Sequence, residues 1–120
     1  MAFLRYSTVA VGHGKEDMAR GYLEAHGLCF VDRNVRYSFG ELDLIMLEGE
    51  CLVFVEVRYR RNTRFGSPLE TISWTKRQRI RDAASCYLQN NPTTFSCRFD
   101  VVAITGNQPM VWLRDAFRDD

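Results

Sequence analysis

The chain has 120 residues, 46% of them hydrophobic and 26% charged, with a formal net charge of +1. That is enough apolar material for one core and too little length for two, so residues 1–120 are read as a single α/β domain. The run from Phe3 to Val11 is interrupted by Arg5, Tyr6, Ser7 and Thr8, which argues against a membrane span or a signal peptide and makes the cytoplasm the expected compartment.

His13 to His26 predicts the first helix. Glu16 and Asp17 suit its N-terminal turn, Met18, Ala19, Tyr22 and Leu23 form an apolar stripe, and Gly27 suits its stop. Glu16 falls on that stripe, in line with Ala19 and Leu23. Three strands are expected next, at about Leu28 to Arg36, Glu41 to Leu47 and Cys51 to Arg60, with turns at Tyr37 to Gly40 and Glu48 to Glu50. Arg61 to Pro68 reads as a loop, after which Ser73 or Thr71 caps a second helix reaching about Gln89. Its apolar positions are Ile80, Ala83, Ala84, Tyr87 and Leu88, and Asn90, Asn91 and Pro92 end it. Strands at about Cys97 to Thr105 and Met110 to Leu113 complete the order α-β-β-β-α-β-β. The second helix is long enough to cross between parallel strands, which suggests a mixed sheet flanked by helices.

Cys29, Cys51, Cys86 and Cys97 are widely spaced and form no C-x-x-C pair, so small core residues are expected rather than zinc ligands or disulfides. Trp74 and Trp112 are expected to pack, and Asp100 to bond Arg98 as a structural pair. His13 and His26 have no partner motif. Charge is segregated along the chain. Between Arg58 and Arg81 lie Arg58, Arg60, Arg61, Arg64, Lys76, Arg77, Arg79 and Arg81 against the single acid Glu70. Fourteen of the sixteen cations are arginines, which can fork two hydrogen bonds to a phosphate. Such a segment suits either a polyanion-binding face or a solvated helix and loop.

A two-residue loop with Gly49 in first position favours a tight hairpin that pairs Glu48 with Cys51. Counting back pairs Leu47 with Leu52, Ile45 with Phe54, Asp43 with Glu56 and Glu41 with Arg58. Period-two alternation then puts Glu41, Asp43, Glu56 and Arg58 on one face. Like charges set opposite each other within apolar runs need a cation between them. Two solutions are open: Arg58 as a structural salt bridge, or a divalent metal, with oxygen donors favouring Mg²⁺ or Mn²⁺.

Asp43 followed by Glu56-Val57-Arg58 resembles the motif of the PD-(D/E)xK nuclease superfamily. More closely, five blocks look like the bacterial YraN family, often compared with archaeal Holliday-junction resolvases. They are G-H-G-K-E-D-M-A (Gly12 to Ala19), N-V-R-Y (Asn34 to Tyr37), G-E-L-D-L-I (Gly40 to Ile45), F-V-E-V-R (Phe54 to Arg58) and R-F-D-V-V (Arg98 to Val102). The resemblance implies a restriction-endonuclease-like three-layer fold and a metal-dependent endonuclease hydrolysing DNA phosphodiesters, branched or structured DNA included. It further implies metal binding by Asp43, Glu56 and the Val57 carbonyl, with Glu16 as an accessory carboxylate and Arg58 in the catalytic set. Arg58 departs from the superfamily pattern, which has Lys there; arginine can orient water or neutralise phosphate but shuttles protons poorly. Lys76 is the candidate for a migrated lysine or a phosphate contact, with an ordinary surface residue as the alternative. Arg60, Arg61 and Arg64, interleaved with Tyr59 and Phe65, and the cluster Lys76, Arg77 and Arg79 are the expected nucleic-acid contacts. The expected partner is nucleic acid, DNA rather than RNA, with a homodimer admitted and no membrane. A binding module with a degenerate nuclease site is the alternative.

Overall fold

The computed structural model describes residues 14–62, 64 and 66–118. Expectations that concern Phe3 to Val11, His13 and Phe65 fall outside those residues. The order is helix α1 (Gly14–Ala25), strands β1 (Cys29–Tyr37), β2 (Gly40–Glu48) and β3 (Cys51–Arg60), a 3₁₀ turn (Leu69–Thr71), helix α2 (Trp74–Asn90), and strands β4 (Ser96–Thr105) and β5 (Val111–Phe117). The α-β-β-β-α-β-β reading therefore holds, with β5 longer than expected.

Helix α1 ends as its sequence requires. Gly27, at φ +95°, takes a conformation that favours glycine. Leu28 N–H can then bond the Leu23 carbonyl at 3.1 Å and Gly27 N–H the Glu24 carbonyl at 3.1 Å, satisfying two end carbonyls. Helix α2 begins at Ser73, whose hydroxyl accepts the Lys76 N–H at 3.0 Å.

The five strands lie in sequence order in one sheet. β1 with β2, β2 with β3 and β4 with β5 are antiparallel, while β3 and β4 run parallel because α2 carries the chain across between them. The helices cover opposite faces. Ala19 and Leu23 of α1 pack with Leu44, Met46, Val53, Val55 and Val102. Ile80, Ala83, Ala84 and Tyr87 of α2 pack with Ile45, Phe54, Phe99 and Val101. Burying an Ile, Leu or Phe side chain contributes about 1.5–3 kcal/mol, and the two layers of such residues hold the sheet from both sides. On β3 the alternation places Leu52 and Phe54 toward α2 and Val53 and Val55 toward α1, so Glu56 and Arg58 continue the α2 side.

Two packing expectations are corrected. Cys29 and Cys97 are exposed and Cys51 and Cys86 only half-buried, because the first pair stand at strand starts beyond the helix-covered core. Trp112 packs partly against the α1 side, but Trp74 is 71% exposed. As the first residue of α2 it precedes the inward stripe that begins at Ile80. Among the described residues, no helix is long and apolar enough to cross a membrane.

Candidate active site

The tight turn sets the β2–β3 register as expected: Glu48 faces Cys51, Leu47 faces Leu52 and Ile45 faces Phe54. The backbone pairing stops at Leu44–Val55, however, one step short of Asp43 and Glu56. Asp43 Oδ2 instead accepts the Val57 N–H at 3.0 Å. A side-chain oxygen thus satisfies a backbone donor that the regular ladder would give to a carbonyl. The expected pairs Asp43–Glu56 and Glu41–Arg58 are absent from the ladder for this reason. Glu41 turns to β1 and pairs with Arg36 at 3.0 Å.

The two carboxyl groups still meet. Glu56 is 4% exposed and hydrogen-bonds Asp43. Burial raises Glu56 most, and the neighbouring Asp43 charge adds to it, pushing its pKa up to about 8. Burial also raises Asp43, while the Val57 N–H and the Glu56 hydrogen bond oppose that rise.

Two cations approach the pair from different elements. Lys76 Nζ, from the first turn of α2, lies 3.5 Å from Glu56 Oε2. Arg58 Nη1, two residues along β3, lies 3.9 Å from the same oxygen. Arg58 is also tethered: its Nη2 donates to the Thr71 carbonyl at 3.1 Å. The lysine nearer the carboxylates is thus supplied by the crossover helix rather than by the Glu-x-Lys position of the strand.

The other arginines divide between holding the fold and facing outward. Arg77 donates to the carbonyls of Ile72 at 3.1 Å and Leu69 at 2.9 Å, and Arg60 donates to that of Gly66. Together with Arg58 they hold the 66–72 segment, whose carbonyls need donors. This modifies the expectation for Arg60 and Arg77, which are engaged internally. Arg61, Arg64 and Arg79 are exposed, and Lys76 is half-buried at the site. Arg81 donates to the Arg118 carbonyl at 2.6 Å and lies over the Phe117 ring.

Glu16 is not gathered with Asp43 and Glu56. Among the described residues no three His, Cys, Asp or Glu side chains come together as a metal-holding group. Glu16 lines a cavity with Lys15, Met18, Tyr59 and Ile104 on the α1 side of the sheet, whereas Glu56 belongs to the α2 side. Two carboxylates nonetheless fit a small divalent cation, since Mg²⁺ keeps waters and takes phosphate oxygens beside one or two protein carboxylates. The donor set is all oxygen.

Asn34 was not singled out by sequence reasoning. The pairs Arg33–Leu44 and Val35–Leu42 bracket it opposite Asp43, and its Nδ2 is buried without a hydrogen-bond partner. Its φ of 51° switches β1 so that Arg33 reaches Asp17 of α1 at 2.6 Å while Val35 packs on the α2 side. An Asn inside a strand was the available signal, because Asn tolerates this conformation better than most residues do.

The sequence is similar to curated proteins over nearly its whole length. A UPF0102 protein of Shewanella sp. strain MR-4 is 51% identical over 109 residues, covering 91% of this chain and all of that one. One from Shewanella oneidensis is 50% identical over 109 residues, covering 91% of this chain and 100% of the relative. Another, from Shewanella amazonensis, is 49% identical over 106 residues, or 88% and 97% of the two chains. The family model for uncharacterised protein family UPF0102 matches residues 15–104, which span both helices, the first three strands and nearly all of β4. With that match and those identities, the chain belongs to the UPF0102 family.

Proposed function

We propose that this domain is a Mg²⁺- or Mn²⁺-dependent endonuclease that hydrolyses DNA phosphodiester bonds in the cytoplasm. The observation that carries the reading is the Asp43–Glu56 carboxyl pair at the point where β2 and β3 stop pairing, with Lys76 Nζ 3.5 Å from Glu56. Asp43, Glu56 and the Val57 carbonyl would hold the metal, in keeping with the PD-(D/E)xK resemblance. The chemistry supplied by the bound cation is Lewis acidity, toward the attacking water and toward the charged phosphate. Glu56 must give up its proton to serve as a ligand, and Lys76 and Arg58 both favour its ionised form. Lys76 is placed to orient the water or a phosphate oxygen. Arg58, tethered to Thr71, neutralises phosphate without shuttling protons.

Calorimetry with Mn²⁺ on the wild type and on Asp43→Asn tests the ligands: the variant should lose the binding heat, and undiminished binding would reject them. Nicking of DNA in Mn²⁺ should fall at least about a hundredfold in Glu56→Ala. Cleavage that persists there excludes this active site. The tether on Arg58 favours one other reading, a DNA-binding module that no longer cuts. It predicts salt-sensitive binding with no metal-dependent cleavage, and recovery of cutting in Arg58→Lys.

A further inference from the structure

An open cleft of about 690 Å³ lies between the β1–β2 turn and the first turns of α2, lined among others by Arg36, Phe39, Glu41, Lys76, Arg79 and Asp82. It adjoins the carboxyl pair through Lys76, which both lines the cleft and stands 3.5 Å from Glu56. Its acids are already engaged: Glu41 pairs with Arg36 at 3.0 Å, and Asp82 accepts from Gln78 Nε2 at 3.2 Å. Arg79 has no hydrogen-bond or ion-pair partner among the described residues. The cleft therefore offers free positive charge beside the reacting site.

It also offers a flat apolar surface in an unusual place. Tyr37 pairs with Gly40, so Ser38 and Phe39 form a two-residue loop, a position that ordinarily carries polar residues. Phe39 is 45% exposed, and its ring lies 5.6 Å from that of Tyr37 with only 8° between their planes. Tyr37 packs against the core, so Phe39 is the exposed member of the stack. The walls are fixed at close quarters, since a Cβ on Gly40 would stand 2.7 Å from the Arg79 carbonyl.

We propose that this cleft is a nucleotide subsite in which Phe39 stacks an unpaired base while Arg79 and Lys76 hold the adjoining phosphates. The proposal rests on the nuclease reading and adds its substrate class: DNA with an unpaired nucleotide beside the scissile phosphate. A fully paired duplex has no free base face to lay on Phe39. Stacking on an aromatic ring and charge on the backbone are the two components by which unpaired strands are held.

The test uses the full chain in EDTA, with a duplex carrying one unpaired 2-aminopurine and the same duplex fully paired. The wild type should bind the first about tenfold more tightly and quench its fluorescence. Phe39→Ala should lose both the preference and the quenching while keeping the wild-type melting temperature, and Phe39→Trp should retain both. Equal affinity for the two duplexes, or quenching that survives in Phe39→Ala, overturns the subsite. Cleavage in Mn²⁺ separates the two ideas: cutting without any dependence on Phe39 sinks the subsite alone. Base-dependent binding without cutting keeps the subsite and removes the nuclease. Absence of binding to any DNA at low salt removes both.

Discussion

Asp100 on β4 and Glu56 on β3 are both withdrawn from solvent, at 0% and 4% exposure, yet their surroundings are opposite in kind. Asp100 accepts from Arg98 Nε at 2.9 Å, Arg98 Nη2 at 3.1 Å, Trp112 Nε1 at 2.9 Å and the Asp115 N–H at 2.8 Å. The left-handed φ of 51° at Asp115 accompanies a break in β4–β5 register that brings that N–H to it. Arg98 in turn meets Glu48 at 2.8 Å, and Glu48 meets Arg114 at 2.6 Å. Every strong group there has a partner. Glu56 faces another carboxyl instead, and its nearest cations stand at 3.5 and 3.9 Å. A buried carboxylate that is fully bonded holds strands together, whereas a buried carboxyl set against another carboxyl keeps its proton to higher pH.

The sharpest way to break this contrast is to remove the satisfied carboxylate. Asp100→Ala should destabilise the fold by about 2–4 kcal/mol, because the Trp112 and Asp115 N–H groups lose their acceptor and Arg98 keeps only Glu48. Urea denaturation measures it. A loss below about 1 kcal/mol would mean that the network is dispensable.

The carboxyl that faces its like should respond to pH. A carboxyl group whose folded pKa lies above its unfolded value holds its proton more tightly when folded. For Glu56 that stability is fully present below about pH 4.5 and is lost as the pH rises through about 8. In metal-free buffer the wild type should lose roughly 2–4 kcal/mol across that window from this group. Glu56→Gln, which cannot ionise, should show a flatter profile and exceed the wild type in stability at pH 8. Saturating Mn²⁺ should restore wild-type stability at pH 8 and leave Glu56→Gln much less affected. Matching metal-free pH profiles for the two proteins would remove the strained pair.

A smaller effect separates arginines that hold the fold from those that do not. Arg77→Gln should cost about 1–2 kcal/mol, since two loop carbonyls lose a charged donor. Arg79→Gln, which has no internal partner among the described residues, should fall within about 0.5 kcal/mol of the wild type in thermal melts. Equal losses would show that the division is misdrawn.

Much of this is legible in the sequence. Alternation in β2 and β3 and the turn at Gly49 brought Asp43 and Glu56 to one region, and the low lysine content made Lys76 a candidate. Three features were not. The end of the ladder at Leu44–Val55 depends on a carboxylate capturing a backbone N–H, which periodicity does not encode. The tethers of Arg58, Arg60 and Arg77 depend on the path of the 66–72 loop, whose carbonyls become acceptors only once it folds. Glu16 shares an inward stripe with Ala19 and Leu23, but the stripe does not say which face of the sheet α1 will cover. The exposed ring of Trp74 has a similar lesson, since residue type does not determine burial at a helix's first position.

The acids of the site come from one hairpin, joined by Gly49 and Glu50, and their ammonium partner comes from α2 beyond the following loop. Contacts of short sequence separation close first, because a short loop loses less entropy on closing. A chain that has formed β2 and β3 but has not laid α2 on the sheet holds Asp43 near Glu56 without Lys76. The charge constellation is therefore complete only where the crossover helix is docked on the sheet.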